Sequence, residues 1–428
     1  MTAVSFEASW RMMQAEVAGS EVEGPLDQDV AHAGAGFQRG LQREITRQRE
    51  LVEHDRLHRD FMRLQPEDPM RMAWLAADRS STAVVPVWPS PQSPLAEREM
   101  FTTVRCFMLG VALPALDVEG IAGADIPDSH QGRRRVCDVY GLQLGLATLP
   151  GDDWRRAWHD PMVRLLESHA VRAGIPILRE PRALFAHVLD HDMLGRRHLG
   201  IVPDLVPTMS LARDAAARGR STQLLFDAKT LEAGSAHYLA ASRQRERAGA
   251  VERRARQVPS DYTRAARHCD RTQMERRVRA AGQDPAVVLP PARQAPPGPV
   301  ELLLRTFPAC MGLVFGSYGE VSEAVHALES AFAVAIATRE WRSMGARTES
   351  EARGLITTQL RRELSVATHA GHARMLLSRR AYVGLSHEGA RALGDRRAGD
   401  HQGIAVFIPP TAEGARRRAQ RARGGGGG

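Results

Sequence analysis

Lysine, cysteine, aromatic residues and long apolar runs are all scarce in this chain of 428 residues. The cysteines stand far apart, with no Cys-x-x-Cys pair, which argues against a disulfide framework and against an intact structural zinc site. No apolar run approaches the roughly 20 residues that a membrane-spanning helix needs. With aromatic residues at 5%, a core must be built mostly from leucine, valine and alanine. We therefore expect a protein of a reducing, intracellular compartment with no membrane partner.

Signature motifs of several common protein classes are missing as well. The chain has no Gly-rich phosphate loop, no His-Glu-x-x-His and no Gly-x-Ser-x-Gly element, which excludes the usual P-loop NTPase, zincin and serine hydrolase interpretations. The first ten residues, MTAVSFEASW, lack the basic start and the apolar stretch of a secretory signal peptide. These absences predict a soluble protein, nuclear if its host is eukaryotic.

The chain carries an excess of positive charge. The formal net charge is +8 and the isoelectric point is near 10. A basic balance favours polyanionic partners, with nucleic acid first and an anionic membrane surface second. The alternative is an arginine-rich surface that arose from mutational pressure and has no such partner, and charge alone does not decide between the two.

A single lysine, Lys229, stands among 58 basic residues. Lysine carries a compact charge whose pKa falls readily on burial, whereas arginine stays protonated and presents a wide planar fork. The one lysine therefore marks a position where arginine fails, unless it survives by chance on the surface. Its neighbours favour the first interpretation, because an apolar, strand-like run over residues 223–230 ends in Asp227-Ala228-Lys229.

Two strands are expected to bring carboxylates and this amine together. Side chains alternate along a strand, so Asp227 and Lys229 share one face and Ala228 the other. A second apolar run, residues 198–206, contains Pro203-Asp204, and the polar segment at 207–220 is typical of a loop between antiparallel strands. Pairing then places Asp204 beside Asp227. Two such carboxylates can hold hydrated Mg²⁺ or Mn²⁺, and Lys229 can serve an attacking water.

At these residues the sequence resembles the PD-(D/E)xK nuclease superfamily, the restriction endonuclease-like group. Pro203-Asp204 corresponds to the first half of its motif and Asp227-Ala228-Lys229 to the second. The resemblance implies an α/β fold with an αβββαβ core and a mixed sheet, flanked by mainly helical or disordered segments. It also implies a metal-dependent endonuclease with Asp204, Asp227 and Lys229 as its catalytic residues.

Residues 130–330 are more specifically similar to restriction endonuclease-like domains of retroelement-type proteins. His159-Asp160 before a helix and Gly174-Ile175-Pro176 after it match the order of pieces in that group. Such proteins often carry a Cys/His knuckle before the helix. This chain keeps Cys137 but has Tyr140 and Asp153 at the other two positions, so we expect a decayed knuckle without zinc.

The chain divides into five predicted regions. Residues 1–98 form a disordered or helical arm and 99–150 an irregular region with the decayed knuckle. The nuclease-like core occupies 151–345, with a Pro-rich insertion at 284–299, and a helical region (346–413) and a basic Gly-rich tail (414–428) follow. Within the core, helices are expected at 162–173, 238–256 and 321–341, and strands at 175–178 and 311–315.

Three further acidic or ionisable positions have two interpretations each. Glu167 on the first core helix is either an additional metal ligand or an exposed helical glutamate. His159-Asp160 either caps that helix, because Asp is a good N-cap and Pro161 suits the first turn, or takes part in catalysis. Glu180 either reaches the site from the first strand or pairs with a neighbouring arginine.

A dense set of arginines follows the motif. A helix carrying them beside the site can follow a phosphate backbone and give salt-dependent affinity, or it can be a solvated face balanced by nearby glutamates. The predicted nucleic-acid-binding set is Arg243, Arg245, Arg247, Arg253 and Arg254.

Together these features predict a DNA endonuclease of mobile-element origin that uses Mg²⁺ or Mn²⁺. The alternative is a non-catalytic nucleic-acid-binding protein that retains the fold. A homodimer stays open.

Overall fold

A computed structural model describes residues 38–86, 95, 97–128, 134–150, 154–190, 201–207, 223–291 and 294–400. The fold is mixed α/β, mostly helical, with one small mixed sheet and a separate short hairpin. The strands are β1 (Asp125–Ile126), β2 (Arg135–Val136), β3 (Ile177–Arg179), β4 (Leu205–Pro207), β5 (Phe226–Leu231) and β6 (Met311–Gly316). The helices are α1 (Gln38–Arg63), α2 (Pro69–Ala76), α3 (Arg98–Leu109), α4 (Leu142–Leu146), α5 (Trp154–Arg172), α6 (Ala236–Gln244), α7 (Gly249–Ala280), α8 (Pro285–Val288), α9 (Pro299–Leu304), α10 (Glu323–Glu340), α11 (Glu349–Arg379) and α12 (His387–Asp400).

The four-stranded sheet has the order β3-β4-β5-β6. The pairs β3–β4 and β4–β5 are antiparallel, with Leu205 opposite Phe226, and β5–β6 is parallel along its whole length. Strand β3 lies at an edge, as Pro176 next to it predicts. Along the chain these strands follow helix α5, and helices α6 to α9 separate β5 from β6.

The sheet separates two apolar cores. Alternation sends Ala228 of β5 and Leu313 of β6 into a large core with α5, α10 and α11. Leu225, just before β5, and Val206 of β4 face a smaller core instead, together with Val258 and other residues of α7. Helix α7 therefore covers one face of the motif strand while α5 covers the other.

The large core runs through most of the predicted regions. It joins Met72 of α2, Trp158 of α5, Ile356 of α11 and Ala390 of α12, all buried. Among the described residues this packing is continuous from α2 to α12, and α11 is as much part of the core as α5. No helix in the described part of the chain is long and apolar enough to cross a membrane.

The hairpin β1–β2 lies where the decayed knuckle was expected. A buried ion pair joins Arg135 to Asp128 at 2.7 Å. The Asp138 carboxylate accepts backbone N–H bonds from Tyr140, Leu142 and Gln143 at 2.7–3.1 Å. Carboxylate hydrogen bonds therefore hold this turn. Asp153, like the predicted Gly-rich tail, lies outside the described residues.

Two helix predictions were wrong in detail. The helix expected at 238–256 is two helices, because the chain breaks between them with Arg245 and Ala248 in left-handed conformations at φ 58° and 48°. Helix α5 begins at Trp154, so Asp160 is not its N-cap and Pro161 lies inside it. An internal proline costs a hydrogen bond, and the burial of Trp158 and Met162 on either side of it offsets that cost.

Gly319 in the turn after β6 allows the chain to reverse toward α10. It has φ +84°, and a Cβ there would collide with the ring of His369. We expect Gly319→Ala to lower the free energy of unfolding by more than the ~1 kcal/mol typical of left-handed strain alone. Gly345→Ala is the matched control, because Gly345 has φ +71° and open space around it. Equal losses in urea unfolding of the two variants would contradict the steric part of this prediction.

Candidate active site

Strand β5 places Asp227 and Lys229 side by side. The Lys229 Nζ lies 2.7 Å from Asp227 Oδ2, as their spacing of two along a strand predicts. The Asp227 side chain is 5% exposed, whereas that of Lys229 is 36% exposed. The pair therefore has a buried carboxylate on the inside and an ammonium group that solvent reaches.

Asp204 joins this pair from the neighbouring strand. It directly precedes β4, and the β4–β5 pairing brings its Oδ2 within 2.7 Å of the Ala228 backbone N–H, which donates to it. Its charge contributes to raising the pKa of Asp227, an effect that requires the two carboxylates to be close. The two motif halves, 23 residues apart in sequence (204 and 227), thus meet across one strand pair.

Asp227 is a buried acid whose neighbours shift its pKa in opposite directions. Burial is the largest influence and raises its pKa, and Asp204 adds to the rise; Lys229 opposes it. Its Oδ1 accepts a hydrogen bond from the Tyr262 hydroxyl at 2.9 Å. Its buried Oδ2 lies 2.7 Å from the Lys229 ammonium, whose positive charge offsets part of the cost of burying the carboxylate. A bound cation would share this oxygen with Lys229.

His159 is the site residue that the sequence interpretation missed. Its Nε2 lies 3.3 Å from Asp204 Oδ2 and 3.1 Å from the Ala228 carbonyl oxygen, and its Nδ1 lies 3.2 Å from Asp160. Burial disfavours the charged ring, but hydrogen bonds to Asp160 and Asp204 outweigh burial and raise the pKa of His159 to about 10. The ring thus holds Asp204 in place. The His-Asp pair was visible in the sequence, but Pro161 made a capping role the simpler interpretation.

The donor set suits a hydrated hard cation better than a closed cage. Within the described ranges, no group of three or more histidine, cysteine, aspartate or glutamate side chains converges to hold a metal ion. Mg²⁺ keeps several waters and needs only one or two protein carboxylates. Asp204 and Asp227 supply that number.

The two other acidic candidates take part in ion pairs. Glu167 lies two turns beyond His159 on α5 and pairs with Arg179 at 3.6 Å. Glu180 pairs with Arg182 at 3.7 Å, and both side chains are about half exposed. The backbone of Glu180 is closer to the site, because its N–H donates to the Asp204 carbonyl at 3.0 Å and its φ is +44°. Each of the two glutamates thus pairs with an arginine, and the side chain of Glu167 is partly buried.

The predicted nucleic-acid-binding arginines are mostly engaged within the chain. Arg243 pairs with Glu67 at 3.2 Å, Arg253 with Glu246 and Arg254 with Asp261 at 2.7 Å each. Arg247 lies over the Trp74 ring and 2.6 Å from His54 Nε2. Arg245 forms no ion pair with the part of the chain that is described. These contacts favour a balanced, solvated face over a continuous phosphate track.

Comparisons with known proteins found no relative of this chain. Models of protein families, characterised proteins and solved structures were all compared with the chain, and none of them matches it.

Proposed function

We propose that this chain is a metal-dependent endonuclease that hydrolyses DNA phosphodiester bonds and derives from a mobile genetic element. The observation that carries the proposal is the meeting of Asp204, Asp227 and Lys229 at one strand pair, with the buried Asp227 Oδ2 paired to the Lys229 ammonium. The mobile-element origin rests on the resemblance of residues 130–330.

Each site residue has a role in this proposal. Asp204 and Asp227 would hold Mg²⁺ or Mn²⁺, which when bound polarises a phosphoryl group and lowers the pKa of a coordinated water. Lys229, half in solvent beside Asp227, orients the attacking water and offsets negative charge at phosphorus. His159 and the Ala228 N–H fix the Asp204 carboxylate from two sides.

Plasmid nicking tests the proposal directly. Supercoiled DNA should be nicked in Mg²⁺ and left intact in EDTA, and Asp204→Asn should fall to the EDTA level because it removes a charged ligand. Asp284→Asn is the matched control, since Asp284 only caps α8 and asparagine caps equally well. Glu167→Gln distinguishes an additional ligand from an exposed glutamate, and from its ion pair we expect normal nicking.

A second candidate is a nucleic-acid-binding protein without catalysis. It is favoured by the contact of His159 with Asp204 Oδ2, because that ring already satisfies one of the oxygens a metal would use. Retention of DNA in a gel shift, with no nicking by the wild type in Mg²⁺ or Mn²⁺, would select this candidate.

A further inference from the structure

Helix α7 carries no part of the motif, yet one of its side chains contacts the candidate site. Val258 and Ala255 of α7 pack against Gly312, the residue of β6 that lies opposite Asp227. One turn further along, Tyr262 is 3% exposed and its hydroxyl lies 2.9 Å from Asp227 Oδ1. The packing of α7 on the sheet therefore determines where this hydroxyl lies.

The Tyr262 hydroxyl has two acceptors within reach and one proton. The second acceptor is the Val202 carbonyl oxygen at 3.2 Å. A carboxylate is the stronger acceptor and is also the nearer one, so the proton goes to Asp227. A phenolic hydroxyl is protonated at neutral pH, so Tyr262 acts as the donor in this contact.

The two oxygens of Asp227 are thereby given different surroundings. Oδ1 accepts the hydrogen bond from Tyr262, whereas Oδ2 lies 2.7 Å from the Lys229 ammonium. A carboxylate with one oxygen tied down cannot rotate without losing a charge-assisted hydrogen bond. Groups that hold a ligating carboxylate in this way govern its geometry, and their loss typically weakens metal binding.

We propose that Tyr262 is a positioning residue that holds Asp227 with Oδ2 directed to Lys229 and to the cation. The metal half of this statement rests on the proposed function; the half concerning Lys229 does not. Tyr262 touches neither substrate nor metal and acts only through Asp227.

The single lysine makes the test unusually direct. A chain labelled with ¹³Cε/¹⁵Nζ lysine gives signals from Lys229 alone. We expect Tyr262→Phe to move these signals, because Asp227 turns, and to weaken Mn²⁺ binding in calorimetry about 10–100-fold. In nicking, kcat should fall while KM for DNA stays unchanged. Tyr318→Phe is the matched control, since Tyr318 is a buried tyrosine whose hydroxyl has no hydrogen-bond partner among the described residues.

The outcomes separate the two proposals. Lys229 signals that stay in place in a folded Tyr262→Phe chain, with Mn²⁺ affinity within twofold of the wild type, would overturn the positioning role. A wild type that neither binds Mn²⁺ nor nicks DNA would end the endonuclease proposal, while the Lys229 signals would still decide the role of Tyr262. Should Tyr262→Phe unfold, 3-fluorotyrosine at position 262 makes the hydroxyl a stronger donor with little change of shape. The Lys229 signals must then move, and unchanged signals would refute the role.

Discussion

Lys229→Arg and Lys229→Ala should both lower plasmid nicking roughly 100-fold or more, the low end of what the loss of one positioned charge-stabilising group costs. The Lys229 ammonium occupies a defined point 2.7 Å from Asp227 Oδ2, half covered by protein. Arginine keeps the positive charge but spreads it over a longer, planar group, so the charge cannot lie at that point. DNA retention in a gel shift should persist in both variants, since binding depends on the total basic charge.

The reverse exchange provides the control for this experiment. Arg56 forms an exposed ion pair with Glu53 at 2.6 Å on α1, a contact that lysine can also make. Arg56→Lys should therefore nick like the wild type. Nicking by Lys229→Arg at the wild-type rate would remove the argument from the lone lysine.

Glu320→Gln should stabilise the fold in a strongly pH-dependent way. Glu320 follows the Gly319 turn, is fully buried and accepts a hydrogen bond from the Tyr238 hydroxyl. Burial is the dominant influence and raises the pKa of Glu320 from 4.5 to about 8. The folded state thus holds this proton more tightly than the unfolded chain does.

The sign of the pH effect follows from that difference. Below about pH 4.5 the Glu320 carboxyl is neutral in both the folded and the unfolded state, so it does not change the free energy of unfolding. As pH rises from there toward 8, the carboxyl ionises only in the unfolded chain, which stabilises that state. The wild type should therefore lose stability over this interval, and Glu320→Gln should not. At pH 8 the variant should be more stable by several kcal/mol, with roughly 5 kcal/mol as the upper bound for a shift of this size. Urea unfolding at pH 5 and pH 8 measures it.

Glu301→Gln is expected to show the opposite trend. Glu301 is buried at the start of α9, where Arg267 and then Arg305 bind its carboxylate, and its pKa is lowered mainly by the Arg267 hydrogen bond. Its stabilisation is present above the ordinary glutamate pKa and is lost as pH falls through the lowered value. The variant should be destabilised at neutral pH and approach the wild type in acid.

Parallel pH curves for the wild type and Glu320→Gln would contradict the burial argument for Glu320.

Local sequence rules predicted the two motif strands correctly. Alternation alone predicts that Asp227 and Lys229 share a face, and the contact between them follows from a spacing of two residues. Helix α5 and strand β6 were predicted because α5 buries apolar residues at helical spacing and β6 is a short continuous apolar run. Strand β3 was predicted from a short apolar run, although its residues are half-buried or exposed. The pairing of Asp204 with β5 also follows, since a polar segment between two apolar runs favours antiparallel neighbours.

The remainder depended on contacts between segments distant in sequence. His159 reaches Asp204 across 45 residues and Tyr262 reaches Asp227 across 35, and neither contact has a local signature. The break between α6 and α7 lies in a polar stretch without glycine at Arg245 or Ala248, where packing and not propensity selects the left-handed backbone. Composition and periodicity therefore predicted the strands, and they singled out Lys229 and the motif that these strands carry. Only tertiary packing decided which side chains surround that motif. Buried polar groups need hydrogen-bond partners, and these partners come from segments far apart in sequence, so residue spacing does not reveal them.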